Sequence, residues 1–203
     1  MTQRINIVGA RGGVGTTTIA AALAFTLNAD GSRISVLGPD EDATRAVFAA
    51  PKKGDLSDKI FYNHDPLLDQ IVDYKIVDHG TNLTAAAAER EGLRVLVVRN
   101  EYLSLRRVVN KIPTVTASGD EKELPFEIVI IVEEPGRALS RREVIDVLGI
   151  DPDKIIVVPV TDGIARAVDA GVLRARPAEL RKSVEALAAK ARARRAITHR
   201  GVA

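Results

Sequence analysis

Short apolar runs rich in Val, Ile and Leu recur along the chain, each followed by a turn or by a segment of helical spacing. The runs at Ile5–Val8, Arg33–Leu37, Ile71–Val77, Arg94–Val98, Glu127–Val132 and Ile155–Val158 read as β-strands. The run Ile128 to Val132 has no polar position at all, as a strand covered on both faces requires. Helical spacing fills the intervals at Ile19–Asn28, Ala43–Ala50, Thr84–Glu91, Ser104–Lys111 and Leu139–Leu148. Two helices follow the last strand, at Ile164–Val172 and from Ala178 to about Ala196, the second opened by Pro177 in its first turn. Pro51-Lys52-Lys53-Gly54 breaks the second helix. Asp55 to Gln70 is the least patterned stretch and reads as a loop with one short strand or helix turn; Pro113 to Leu124 reads as a polar connection. Strands alternating with helices specify an α/β fold, doubly wound, with a mostly parallel sheet and helices on both faces. The whole chain, 1–203, reads as one domain with a basic C-terminal helix at about 177–198.

Composition narrows this picture without changing it. Aromatic residues are 3% of the chain, so the core has to be built from Ala, Val, Ile and Leu. With no cysteine, disulfides and thiolate metal sites are excluded, and no pair of histidines has metal-ligand spacing. Met1-Thr2-Gln3-Arg4 leads straight into a strand and no apolar run approaches the ~20 residues of a membrane span, so the expected location is the cytoplasm. Net charge is +2 but unevenly placed: Gly163 to Ala203 holds ten Lys and Arg against three Asp and Glu. A basic end on a mildly acidic body leaves two readings open, an acidic partner such as DNA or a membrane surface, or a solvated helix face.

The candidate chemistry starts at the first strand. Gly9-Ala10-Arg11-Gly12-Gly13-Val14-Gly15-Thr16-Thr17-Thr18 joins a strand to a helix start through glycines. Glycines let backbone N–H groups converge on an anion, and the helix N-terminus adds partial positive charge. The common P-loop, G-x-x-x-x-G-K-[ST], carries a lysine that reaches the β/γ-phosphates; here that position is Thr16, and the first glycine position is Ala10. Thr17 follows, where a hydroxyl ligates Mg²⁺, and Thr18 is placed to donate to the α-phosphate. Asp78 ends the apolar run Ile76-Val77-Asp78 and suits a Walker B carboxylate that holds magnesium directly or through water; its bland reading is a helix cap or turn. Asp40, at the end of another strand, suits a residue that orients an attacking water, though Pro39-Asp40-Glu41-Asp42 is also a plausible turn. His79 would lie near the γ-phosphate, whereas His64 and His199 read as incidental.

Arg11-Gly12-Gly13-Val14-Gly15-Thr16-Thr17-Thr18 resembles the deviant Walker A motif of the MinD/ParA family, K-G-G-V-G-K-T-T. Further segments resemble that family in order. Leu37 to Asp42 is similar to D-x-D-P-Q, and Asp73 to Asp78 to Y-D-x-x-I-x-D. Val97 to Arg106 is similar to V-x-x-P-E-x-x-S-L, and Val158 to Asp162 with Ala165-Arg166-Ala167 to the I-P-x-D…A-R-A segment that borders the adenine. The resemblance implies an ATP·Mg²⁺-binding domain that dimerises on nucleotide. Gly12, Gly13, Val14, Gly15, Thr16, Thr17, Thr18, Pro159 and Asp162 would hold the nucleotide, and Thr17 and Asp78 the metal. Where the family has two lysines this chain has Arg11, which keeps the charge for a contact across the dimer, and Thr16, which loses it. Gly38 stands at the first aspartate of the second motif, and Glu133 at the adenine-contacting asparagine. A loop of the form G-V-G-[AST]-[ST]-T is most similar to the atypical TadZ/CpaE branch, whose members place pilus or secretion machinery.

Three functional expectations result. One is a nucleotide-dependent dimerising switch that positions a cargo or protein partner and hydrolyses ATP slowly, because phosphoryl transfer rests on electrostatic stabilisation that Thr16 does not supply. Another is a scaffold that has lost nucleotide. The last is DNA partition, in which Arg174, Arg176, Arg181, Lys182, Lys190, Arg192, Arg194 and Arg195 bind phosphates nonspecifically. A membrane role for the same helix is the weakest: Leu180, Val184, Leu187 and Ala191 follow helical spacing but suit docking on the domain, with no Trp or Phe to insert.

Overall fold

The computed structural model describes residues 2–48, 59–62, 71–112, 123–169 and 177–200. Its strands are β1 (Gln3–Gly9), β2 (Ile34–Leu37), β3 (Ile60–Tyr62), β4 (Tyr74–Asp78), β5 (Leu93–Arg99), β6 (Ile128–Glu133) and β7 (Ile155–Pro159). They form a seven-stranded sheet in the order β3-β2-β4-β1-β5-β6-β7, with every described pairing parallel. The helices are α1 (Thr16–Ala29), α2 (Glu41–Val47), α3 (Leu83–Ala88), α4 (Tyr102–Lys111), α5 (Arg141–Leu148), α6 (Asp162–Asp169) and α7 (Ala178–Arg200). The doubly wound α/β expectation holds, and the sheet is parallel throughout.

The period-2 alternation of each strand splits its side chains between two cores. Ile5 and Ile7 of β1, Val95 and Val97 of β5, and Ile130 and Val132 of β6 point to one face, covered by α1, α2 and α7. Val8, Leu96, Val98, Val129 and Ile131 point to the other, covered by α3, α4 and α5. A helix apolar all round has to be buried on all sides, and α1 is: Ile19 through Leu27 are inaccessible, packed by the sheet, α2 and α7. Leu180, Val184, Leu187, Ala188 and Ala191 of α7 are fully buried in the same core, so the docking alternative describes this face of the helix.

Local chemistry sets the helix ends. Ser140 and Glu143 form a reciprocal capping box at the start of α5, and Gly149, at φ +60°, closes it. Asn82 caps α3 through its side-chain oxygen. α1 begins at Thr16 rather than Ile19, because the loop threonines themselves make its first turn. The short strand expected within 55–70 is β3; the remainder of that segment, including His64, and most of the 113–124 connection lie outside the described residues, as do Arg174 and Arg176.

Because all strands run the same way, the loops after β1, β2, β4, β5, β6 and β7 open on one edge of the sheet. The winding reverses at β1, which lies between β4 and β5. In open α/β sheets a ligand binds at this edge and at this reversal, and the glycine loop leaves β1 there.

Candidate functional site

The glycine loop is pinned at its base. The Gly9 N–H donates to the Gly80 carbonyl and the Ala10 N–H to the Val97 carbonyl, each at 2.8 Å, so neighbouring strands hold both sides. Gly13 and Gly15 take φ of +76° and +94°, a region costly for a side chain. Space around Gly12, Gly13 and Gly15 is open, as a cradle for an anion requires. Val14 is buried beneath the loop. Thr16 is 8% exposed, and its Oγ1 lies 2.2 Å from where a Cβ on Gly9 would be. Position 16 therefore sends a hydroxyl down into the loop base, and no charge outward.

Beneath the loop, Thr17 Oγ1 donates to Asp78 Oδ2 at 2.7 Å. The other carboxylate oxygen, Oδ1, accepts the Gly80 N–H at 2.8 Å. Burial pushes the Asp78 carboxyl above its ordinary range, against the pull of those two hydrogen bonds. A buried carboxylate touching a hydroxyl offers the oxygen donors that Mg²⁺ prefers, so the residues fit that metal. Burial also lowers the neighbouring His79, whose Nε2 lies 3.2 Å from Asn6 Oδ1 on the α3 side of β1. His79 is turned away from the Thr17–Asp78 pair and toward Asn6.

Asp40 serves as the N-cap of α2: its Oδ1 accepts the Ala43 N–H at 2.9 Å. This is the turn reading, and it leaves the water-orienting role without support from the geometry. Gly38 is dictated by packing, since a Cβ there would meet Thr44 Oγ1 at 2.9 Å. Tyr62 donates to its carbonyl at 2.9 Å.

Arg11 does not point freely outward. Its Nη2 donates to Glu101 Oε2 at 3.0 Å and its Nε to Glu101 Oε1, a two-point pairing. The hydrogen bond from Arg11 holds the Glu101 carboxyl below its ordinary range. Glu101 lies directly before α4, and Arg137 also approaches it, at 3.8 Å.

A cavity of about 230 Å³ opens beside the loop, lined by Gly13, Val14, Gly15, Thr18, Arg99 and Pro159 together with apolar side chains of α6. Pro159 lies on this cavity with the loop glycines. Asp162 does not line it; its side chain, 92% exposed, pairs with Arg166 at 3.6 Å on the surface. Ile164, Ala165 and Val168 take that wall instead. Two residues at the edge escaped the sequence reading. Arg99 donates through Nη2 to the Gly13 carbonyl at 2.8 Å. Asn100, buried, clamps the β6–α5 connection, donating to the Glu134 carbonyl at 3.1 Å and accepting the Glu134 N–H at 2.9 Å. The signal for Arg99 was a cation closing an otherwise apolar strand at its ligand-facing end. Glu133, at the asparagine position, accepts from Arg141 at 3.0 Å.

The basic residues of α7 are largely engaged within the chain. Arg195 donates to Asp73 at 2.6 Å and covers the Tyr74 ring, Arg194 pairs with Glu127, and Arg192 bridges Asp30 and Glu185. Lys190 donates to the Asp153 carbonyl at 3.2 Å. Arg181 and Lys182 lie on the exposed side. No helix among the described residues is long and apolar enough to cross a membrane.

Comparison with known proteins bears on this geometry. The family model of cellulose biosynthesis protein BcsQ matches residues 1–51, the stretch that holds β1, the loop, α1 and β2. Among solved structures, the cell division ATPase MinD of Pyrococcus furiosus superposes with a TM-score of 0.67 at 17% identity, over 93% of this chain and 97% of that one. The chain has the MinD/ParA fold. A ParA family ATPase from Chlorobium tepidum TLS gives 0.61 at 18% identity, covering 92% of this chain and 97% of that one. An ATP complex of a Cyanothece McdA variant gives 0.59 at 14% identity, over 94% and 96%. A search of curated protein sequences finds no match.

Proposed function

We propose that this chain is an ATP·Mg²⁺-binding switch of the MinD/ParA type, which dimerises on nucleotide to position a cargo and hydrolyses ATP slowly or not at all. The observation that carries this reading is the 2.7 Å hydrogen bond between Thr17 and Asp78, set under an open glycine loop at the reversal point of a parallel sheet. Burial works against the charge on Asp78, and a carboxylate kept there beside a hydroxyl suits a cation. Magnesium there would supply charge neutralisation to phosphate. Gly12, Gly13 and Gly15 would present backbone N–H groups to phosphate, Thr18 and Pro159 border the cavity, and Thr17 and Asp78 would hold the metal. Slow turnover rests on Thr16, whose hydroxyl faces Gly9 and gives no positive charge to the transition state.

The cargo is approached through the N-terminal segment alone. The loop that resembles the TadZ/CpaE branch is the same segment that matches the BcsQ model, residues 1–51. A loop like that of pilus- and secretion-positioning proteins and a family model named for cellulose biosynthesis support a protein assembly as the cargo. The engagement of Lys190, Arg192, Arg194 and Arg195 within the chain weighs in the same direction, because a DNA surface needs free cations.

One observation favours a second reading, a nucleotide-free scaffold: Arg11 is held by Glu101 and Thr16 is turned inward, so neither loop position offers a cation. Calorimetric titration of the full chain with ATP and Mg²⁺, paired with a size measurement, separates the two. Magnesium-dependent heat with a doubling of mass supports the switch; no heat and an unchanged mass support the scaffold.

A further inference from the structure

Position 16 leaves a charge deficit where a nucleoside triphosphate carries most of its negative charge. The neighbouring strand brings a cation to the same loop from the other side. β5 pairs with β1 through Gly9↔Val97, so its last residue, Arg99, stands beside the glycine loop. Arg99 lines the cavity with Gly13, Gly15 and Thr18, and its Nη2 reaches the Gly13 carbonyl at 2.8 Å. We propose that Arg99 is a phosphate-binding residue of this site, supplying from β5 the positive charge that the loop itself lacks at Thr16. The proposal rests on the reading of the cavity as a nucleotide site.

Several features of the arrangement suit this role. The guanidinium is only loosely committed: Nη2 meets a neutral carbonyl, Nη1 lies 3.3 Å from Glu134 Oε2, and Nε is withdrawn from solvent with no partner among the described residues. A phosphate oxygen is a stronger acceptor than a carbonyl, because charge-assisted hydrogen bonds are roughly twice as strong as neutral ones. Arg99 can also leave Glu134 without stranding it. Arg137 holds the same carboxylate oxygen at 2.8 Å, so the negative charge stays compensated when Arg99 turns to a ligand. Arg11 is in the opposite position, with Nε and Nη2 on Glu101 and Nη1 on the Gly12 carbonyl. The planar fork of arginine, with five donors, suits a polyphosphate better than the single ammonium it would replace. Asp169, the acidic residue on the far wall of the cavity, lies on α6.

The test compares binding of ATP·Mg²⁺ and of adenosine to the full chain, by displacement of a fluorescent ATP analogue. Arg99→Ala is expected to weaken ATP at least about tenfold, the loss of one charged hydrogen-bonding partner, and to leave adenosine unchanged. Arg99→Lys is expected to recover part of the loss. Adding Thr16→Lys to Arg99→Ala is expected to restore ATP binding by returning the charge to the loop. If Arg99→Ala binds ATP as well as the parent chain, or weakens ATP and adenosine equally, Arg99 is not a phosphate ligand. A parent chain that binds neither compound removes the nucleotide-site reading and this proposal together. Thermal unfolding of each variant, expected within a few degrees of the parent, separates a binding loss from a folding loss.

Discussion

Arg11 grips Glu101 with two nitrogens, tying the glycine loop to the residue that precedes α4. Any contact of Arg11 across a dimer requires that grip to open. Glu101→Gln removes the charge that holds it and is expected to lower the protein concentration at which ATP·Mg²⁺ doubles the mass, as read by light scattering. Arg11→Ala is expected to leave nucleotide affinity within a few fold and to suppress the doubling. The pairing also has a pH signature. Glu101 is held below its ordinary pKa by Arg11, so its contribution is fully present above the ordinary carboxylate value and fades as pH falls through the lowered one.

Asp78 has the opposite sign. Burial raises its pKa in the folded protein, so stability is lost as pH rises from the ordinary carboxylate value through the raised one. Asp78→Asn removes that cost. The ligand-free variant is expected to unfold a few degrees higher than the parent, about 2–4 °C for ~1 kcal/mol in a domain of this size. Magnesium-dependent stabilisation by ATP is expected to vanish in the same variant, as scanning calorimetry would record. An unchanged magnesium effect would remove Asp78 from the metal site.

The proposed slow turnover rests on Thr16. Restoring the lysine in Thr16→Lys is expected to raise ATP hydrolysis by on the order of 10²-fold, the usual scale for one transition-state contact. A phosphate-release assay with parent and variant side by side measures it. Equal rates would mean that turnover is limited elsewhere.

Gly9 is the counterpart of Thr16 in the loop base. A Cβ at Gly9 would fall 2.2 Å from Thr16 Oγ1 and 2.7 Å from Val14 Cγ2. Gly9→Ala is expected to cost ~1–3 kcal/mol by overpacking and to weaken nucleotide binding by shifting the loop. Urea unfolding and the ATP titration read the two effects separately.

The sheet and its helices were legible because period-2 and helical spacing survive in nearly every element. The lengths were less so: α1 starts inside the glycine loop, with Gly15 as its N-cap and the Ile19 N–H donating to the Gly15 carbonyl at 2.9 Å. Thr17 and Asp78 were legible as a pair because each ends a recognisable element, and the fold closes the distance between them. The partner of Arg11 was not, since Glu101 lies 90 residues away and only the strand order brings β5 beside β1. Asp40 and Asp162 looked alike in sequence, as acids after strands, yet one caps a helix and the other faces solvent. The same limit applied to the arginines of α7, where charge counting saw a basic surface and the fold spends those charges on Asp30, Asp73, Glu127 and Glu185.

α1 is walled on one side by α7, whose residues come more than a hundred positions later in the chain. During synthesis the helix that follows the glycine loop therefore waits, its apolar flank uncovered, until α7 has left the ribosome. Contacts of such long sequence separation slow folding and leave greasy intermediates exposed. A nascent chain halted before residue 178 leaves that flank of α1 without the helix that covers it in the finished fold.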